Sequence, residues 1–176
     1  MAVMKPSCAI LRKPSFSQTV SPVEKNRFST KVRTSRKRKG LMDGVCITGG
    51  EPLMNKELPE FIAKVKELGY KVKLDTNGSY PDRLAALIDS GNIDYVAMDI
   101  KNSPESYGKT VGIEGYDINN IKSSIEYLMS GVVSYEFRTT VVRQFHQKSD
   151  FESIAQWIKG ADRYFLQQFV DSGDLI

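Results

Sequence analysis

Cysteine is almost missing from this chain. Cys8 and Cys46 are the only two in 176 residues, too few for a disulfide framework, and Cys46 sits in an apolar run where it reads as a small core residue. One histidine, His146, and one tryptophan are present, so a histidine-rich metal site is excluded. No apolar run approaches the roughly 20 residues of a membrane span, and the start lacks the apolar core of a secretory signal. A soluble cytoplasmic protein with no membrane partner is therefore expected. Neither a G-x-G-x-x-G turn nor a full P-loop occurs, which disfavours a dinucleotide or P-loop nucleotide site.

Acidic residues are scarce in one place. Residues 1–40 hold 11 Lys+Arg against Glu24 alone, a net of +10, while the remainder holds 14 against 20, a net of −6. The overall charge of +4 and the pI near 9.0 thus describe the front segment. Residues 1–36 show no sustained period and are expected to be disordered. The run Arg36-Lys37-Arg38-Lys39 could meet nucleic acid or an anionic surface, but no aromatic platform accompanies it, so a nucleic-acid partner is not favoured over a solvated tail. An Arg- and Ser-rich, acid-poor leader also resembles an organelle transit peptide.

From Leu41 onward the pattern is regular. A strand at 45–48 runs into Gly49-Gly50-Glu51-Pro52, and a helix over about 57–68 carries Leu58, Phe61, Ile62, Val65 and Leu68 before Gly69 stops it. The alternation repeats through strands at 71–75, 95–98, 135–142 and 164–169, with helical stripes between them and a longer connection over 102–115. Five strands separated by four helices, in strict β/α order, predict an α/β fold with a parallel sheet, either doubly wound or part of a barrel.

Ligands of parallel α/β folds bind at the carboxyl ends of the strands. There the chain places Glu51, then Asp75-Thr76-Asn77, then Asp99 and Lys101, then Arg138-Thr139-Thr140, then Gln167-Gln168. Singly, Asp75 and Asn77 read as turn or capping residues, and Lys101 and Arg138 as solvated charges. Their coincidence at strand ends is what makes a joint site.

Gly49-Gly50-Glu51-Pro52, Asp75-Thr76-Asn77-Gly78 and Met98-Asp99-Ile100-Lys101 resemble the radical S-adenosylmethionine enzymes. Together with Tyr95 to Asn102 and Tyr135 to Val141, they are most similar to the activating enzymes of glycyl-radical proteins, in particular the group serving anaerobic ribonucleoside-triphosphate reductase. The resemblance covers about 37–176. It implies a partial (β/α) barrel of six units in which five recognisable strands are the second to the sixth. It implies S-adenosylmethionine as cofactor, a 4Fe-4S cluster, a glycyl-radical enzyme as partner and an electron donor such as flavodoxin or ferredoxin. It further implies that Gly49, Gly50 and Glu51 hold the methionine amino group, that Asp75, Thr76, Asp99 and Lys101 order the rest of the cofactor site with room for a monovalent cation among the acids, that Pro52 and Asn77 belong to the same cofactor-binding set, and that Arg138 reaches the cofactor carboxylate, with His146 a weaker candidate.

The sequence departs from that family at one point. The family's C-x-x-x-C-x-x-C cluster motif is missing, and two cysteines so placed cannot supply three ligands. No catalytic or metal residue is assigned. The first β/α unit is expected to be absent, leaving an exposed apolar edge beside the strand at 45–48 and an incomplete domain over 37–176. A reading-frame error or misassigned start would account for the sudden change of composition. An inactive, truncated activating enzyme is the resulting expectation, with a small-molecule radical enzyme or a non-catalytic S-adenosylmethionine binder as the alternatives.

Overall fold

The computed structural model describes residues 19–20 and 43–170. Its sheet has six parallel strands, β1 (Thr19–Val20), β2 (Gly44–Ile47), β3 (Lys71–Thr76), β4 (Tyr95–Asp99), β5 (Ser134–Val141) and β6 (Tyr164–Gln168), lying side by side in chain order. With right-handed crossovers, an order that never reverses puts every connecting helix on the same side of the sheet. A doubly wound sheet needs a reversal, so the winding is that of a (β/α) barrel. Five helices follow the described strands: α1 (Leu58–Glu67), α2 (Pro81–Asp89), α3 (Tyr107–Val111), α4 (Asn119–Met129) and α5 (Lys148–Trp157).

Local chemistry explains these elements. In α1, Pro59 occupies the first turn, where its missing N–H costs nothing, Glu60 faces the positive end of the helix and Lys64 and Lys66 the negative end. Leu58, Phe61, Ile62 and Val65 fall on one face and are buried against the sheet. In β3 the burial alternates strictly, with Val72, Leu74 and Thr76 inside. Val45, Ile47, Val72, Leu74, Val96, Met98, Tyr135 and Phe137 make the sheet's half of the core, and Phe61, Ile62, Leu84, Leu87, Ile121, Ile125 and Ile154 the helical half. Because side chains alternate along a strand, the other face carries Cys46, Lys73, Asp75, Asp99, Glu136 and Arg138.

Two findings differ from the sequence reading. A short strand does stand beside β2: Thr19 pairs with Cys46 and Val20 with Ile47, so the edge expected to be bare is partly covered. Two residues are too few to leave a periodic signal, and they lie in a segment whose composition reads as unstructured. The rest of that expectation, with Cys8 and the run at 36–39, lies outside the described residues. The long connection after β4 also contains a helix, α3, too short for a recognisable stripe and held instead by tertiary contacts. Tyr107 is buried, stacks on Tyr116 at 5.5 Å and meets Trp157 edge-on at 6.4 Å. Among the described residues no helix is long and apolar enough to cross a membrane.

Candidate functional site

The turn after β2 rises through Gly49 and Gly50 at φ of 102° and 51°, a region that L side chains enter at a cost. A Cβ at Gly50 would meet nothing within 4 Å, so open space adjoins the backbone there. Pro52 begins a 3-10 turn over Pro52–Met54 and is buried. Glu51 caps that turn: its Oε1 accepts from Leu53 N at 3.0 Å and from Thr76 Oγ1 at 2.9 Å, and its Oε2 from Asn77 N at 2.7 Å. The carboxylate thereby staples the β2 exit to the β3 exit. Burial pushes its pKa above the usual range, against the pull of those three donors. Three of about four lone-pair sites are taken, which leaves room for one more donor.

The β3 exit is shaped by its own residues. Thr76 Oγ1 accepts from Gly78 N at 3.1 Å, and Asn77 Oδ1 accepts from Ser79 N at 2.9 Å. The Asn77 side chain thus serves the turn. Gly78 has φ of 77°, and a Cβ there would fall 2.1 Å from the Met98 methyl.

On the face away from the helices, neighbouring strands bring opposite charges together. Asp99 pairs in register with Arg138, and Asp75 with Ala97 between them. Arg138 Nη2 lies 3.3 Å from Asp75 Oδ2 and its Nε 3.4 Å from Asp99 Oδ1. Lys101 Nζ is 3.2 Å from Asp99 Oδ2. Burial works against the Arg138 charge, and the carboxylates of Asp75, Asp99 and Glu136 more than offset it, so the guanidinium is held above its ordinary value. Asp75 Oδ1 and Arg138 Nε are nonetheless buried without a hydrogen-bond partner. Each still faces an opposite charge, Asp75 Oδ1 the Lys73 ammonium at 3.8 Å and Arg138 Nε the Asp99 carboxylate at 3.4 Å.

Sequence reasoning overlooked the lower part of this network. Glu136 accepts from Lys73 Nζ at 3.3 Å and from the Tyr95 hydroxyl at 2.9 Å, and Arg163 reaches Tyr95 at 3.3 Å. The signal was present, because Lys73 and Glu136 stand two residues before Asp75 and Arg138 and must share their face.

His146 lies elsewhere. Its Nε2 donates to the Lys101 carbonyl at 2.9 Å and its Nδ1 lies 3.1 Å from both the N–H and the carbonyl of Val142, so neither nitrogen is open to a ligand. Gln167 and Gln168, at the end of β6, are exposed.

The family model described as the Radical SAM superfamily matches residues 14–158. The chain belongs to the radical SAM superfamily. That match begins ahead of Lys37, where the sequence resemblance begins, and includes β1. A Methanocaldococcus jannaschii protein provisionally named a glycyl-radical enzyme activating enzyme is 39% identical over 131 residues, 72% of this chain and 55% of that protein. A Saccharolobus islandicus protein provisionally named a GTP 3′,8-cyclase is 33% identical over 89 residues, 48% of this chain and 29% of its own length. The crystal structure of Streptococcus suis SuiB bound to S-adenosylmethionine superposes with a TM-score of 0.66 at 14% identity, covering 84% of this chain and 35% of that one. This last likeness bears out the fold, an α/β partial barrel of parallel strands. The chain spans about half the length of the M. jannaschii relative, and less of the other.

Membership implies S-adenosylmethionine and a 4Fe-4S cluster, and the residues fit the two unequally. An ammonium, a carboxylate and a sulfonium suit a rim with open glycine backbone, acids at 75 and 99 and cations at 101 and 138. The cluster finds no such match. Among the described residues no group of three or more His, Cys, Asp or Glu side chains could hold a metal. The one described thiol, Cys46, is pushed up to about 12, first by burial and then by the Asp75 charge, far from the thiolate that ligation needs.

Proposed function

We propose that this chain binds S-adenosylmethionine at the ends of β2 to β5, as the cofactor-binding part of an activating enzyme for a glycyl-radical protein, anaerobic ribonucleoside-triphosphate reductase being the most specific partner. One observation carries the reading. Asp75, Asp99, Lys101 and Arg138 meet at the ends of β3 to β5 in one part-buried charge cluster, next to the β2 exit that Glu51 ties to Thr76 and Asn77. The relative named for glycyl-radical enzyme activation supports the partner class.

When bound, S-adenosylmethionine supplies an activated carbon–sulfur bond whose reductive cleavage yields a hydrogen-abstracting radical. The chain's own part is to bind and orient. Gly49 and Gly50 let backbone approach the methionine end, and the remaining acceptor site of Glu51 accepts a hydrogen bond from the ammonium. Lys101 and Arg138 attract the carboxylate by charge-assisted bonds, each kept in place by an acid. The two cysteines of the sequence cannot supply three cluster ligands. This polypeptide by itself therefore binds the cofactor without cleaving it.

Calorimetric titration of the full chain with S-adenosylmethionine tests the proposal. Saturable binding is expected, with Lys101→Met and Arg138→Met each weakened about tenfold or more, the scale of a lost charge-assisted bond. No heat at millimolar cofactor would remove the reading. A second reading, a radical enzyme acting on a small molecule, draws on the likeness to the GTP 3′,8-cyclase, and tight GTP binding by the cofactor-loaded chain would favour it.

A further inference from the structure

We propose that His146 is a positioning residue for the cofactor site and acts through Lys101; the inference rests on the S-adenosylmethionine reading above. Lys101 stands just past the end of the β4 ladder. Before it, Ile100 is held on both sides, its N–H by the Arg138 carbonyl at 2.8 Å and its carbonyl by the Thr139 hydroxyl at 2.7 Å. Lys101 itself has only a long bond from its N–H to the Tyr107 hydroxyl, 3.4 Å. Its carbonyl is fixed by His146 Nε2 at 2.9 Å. A carbonyl oxygen only accepts, so Nε2 carries a proton towards Lys101, while Nδ1 lies 3.1 Å from both the N–H and the carbonyl of Val142, and the ring also stacks on Phe151 at 5.5 Å and 16°.

The neighbouring residue repeats the connection in the opposite sense. Asn102 is fully buried, and its Nδ2 donates to the Phe145 carbonyl at 2.9 Å and to Thr110 Oγ1 at 2.8 Å. Residues 145 and 146 thus grip residues 101 and 102 by two adjacent bonds. Asp150, in the first turn of α5, accepts from the hydroxyls of Ser103 and Ser106, each at 2.9 Å, and from Gln147 N at 2.8 Å. The loop after β5 and the start of α5 form a clamp on the loop after β4.

A lysine side chain has four rotatable bonds, so where its ammonium arrives depends on where its backbone is pinned. Lys101 Nζ meets Asp99 Oδ2, and the other Asp99 oxygen meets Arg138. Releasing the Lys101 carbonyl loosens the cation that this pair presents to a cofactor carboxylate. His146 touches no ligand and still sets its affinity.

The test uses the full chain, with S-adenosylmethionine titrated calorimetrically and amide hydrogen exchange over 100–103 followed without cofactor. His146→Phe keeps a ring on Phe151 and removes the donor, whereas His146→Gln restores an N–H at similar reach. Binding is expected to weaken about three- to tenfold in His146→Phe, the scale of one hydrogen bond, and to recover in His146→Gln. In the Lys101→Met background, His146→Phe should add nothing, a non-additivity that a merely structural role would not produce. The proposal is overturned if the loss persists at full size in that background, if Gln binds as weakly as Phe, or if Phe binds like the parent. Should His146→Phe not fold, His146→Asn, too short to reach Lys101, takes its place in the comparison. If the parent chain binds no cofactor, the functional reading falls alone. Exchange over 100–103 then decides the clamp, supporting it if faster in Phe than in Gln and refuting it if equal.

Discussion

Replacing Thr76 by valine changes shape very little and removes one hydroxyl that does two things. Thr76 is buried, donates to Glu51 Oε1 at 2.9 Å and accepts from Gly78 N at 3.1 Å. The first bond is charge-assisted, worth about 1.5–3 kcal/mol, and losing the second leaves a buried N–H unmatched at about 1–3 kcal/mol. The added methyl returns roughly 1 kcal/mol of burial. A net loss of about 2–4 kcal/mol at neutral pH follows, equivalent to a fall in melting temperature of about 6–12 °C for a domain this size. The pH dependence has a definite sign. Burial already raises Glu51 in the folded protein above its ordinary value of 4.5, and removing a donor raises it further in the variant. A raised carboxyl contributes its full stability below the unfolded value and loses it as pH rises through the folded value. The variant suffers more of that loss, so its deficit is largest at neutral pH and shrinks as pH falls through the raised values towards 4.5. Urea unfolding at neutral pH and again just below 4.5 measures both. An unchanged midpoint at neutral pH, or a deficit that widens in acid, would refute the stapling role of Glu51.

Gly78→Ala should destabilise the chain by about 1–3 kcal/mol in thermal unfolding, because the new Cβ meets the Met98 methyl and φ is positive, whereas Gly50→Ala, with open space around it, should cost only about 1 kcal/mol of backbone strain. Alkylation of Cys46 in the folded chain, mapped by mass spectrometry at about pH 8, should be very slow, since a thiol raised to about 12 is ionised in only about one molecule in ten thousand. Addition of denaturant should bring its rate to that of an ordinary thiol. Fast labelling without denaturant would show that the β2 strand opens readily.

The β2 turn, α1, α2, α4, α5 and strands β2 to β6 were legible because each has either a clear period or a glycine or proline at its boundary. β1 and α3 were not. Two paired residues and a five-residue helix carry too little repetition, and what holds them is a neighbouring strand in one case and the packing of Tyr107 in the other. That Asp75, Asp99, Lys101 and Arg138 come together was legible for a related reason, since they stand at the ends of neighbouring parallel strands.

Amino-acid order alone determined the alternation of strands and helices, the parallel sheet and the glycine turn, because these depend on local period and backbone freedom. It could not choose between a doubly wound sheet and a barrel, which depends on strand order across the sheet. Nor could it show that Asn77 and His146, and most of the acceptor capacity of Glu51, are taken up by the fold itself. Whether a polar side chain meets a ligand or a backbone group is set by what lies across the gap. Glu51 closes on Thr76 and Asn77, 25 and 26 residues away, and His146 on Lys101, 45 residues away. Only the folded arrangement of strand ends makes those meetings.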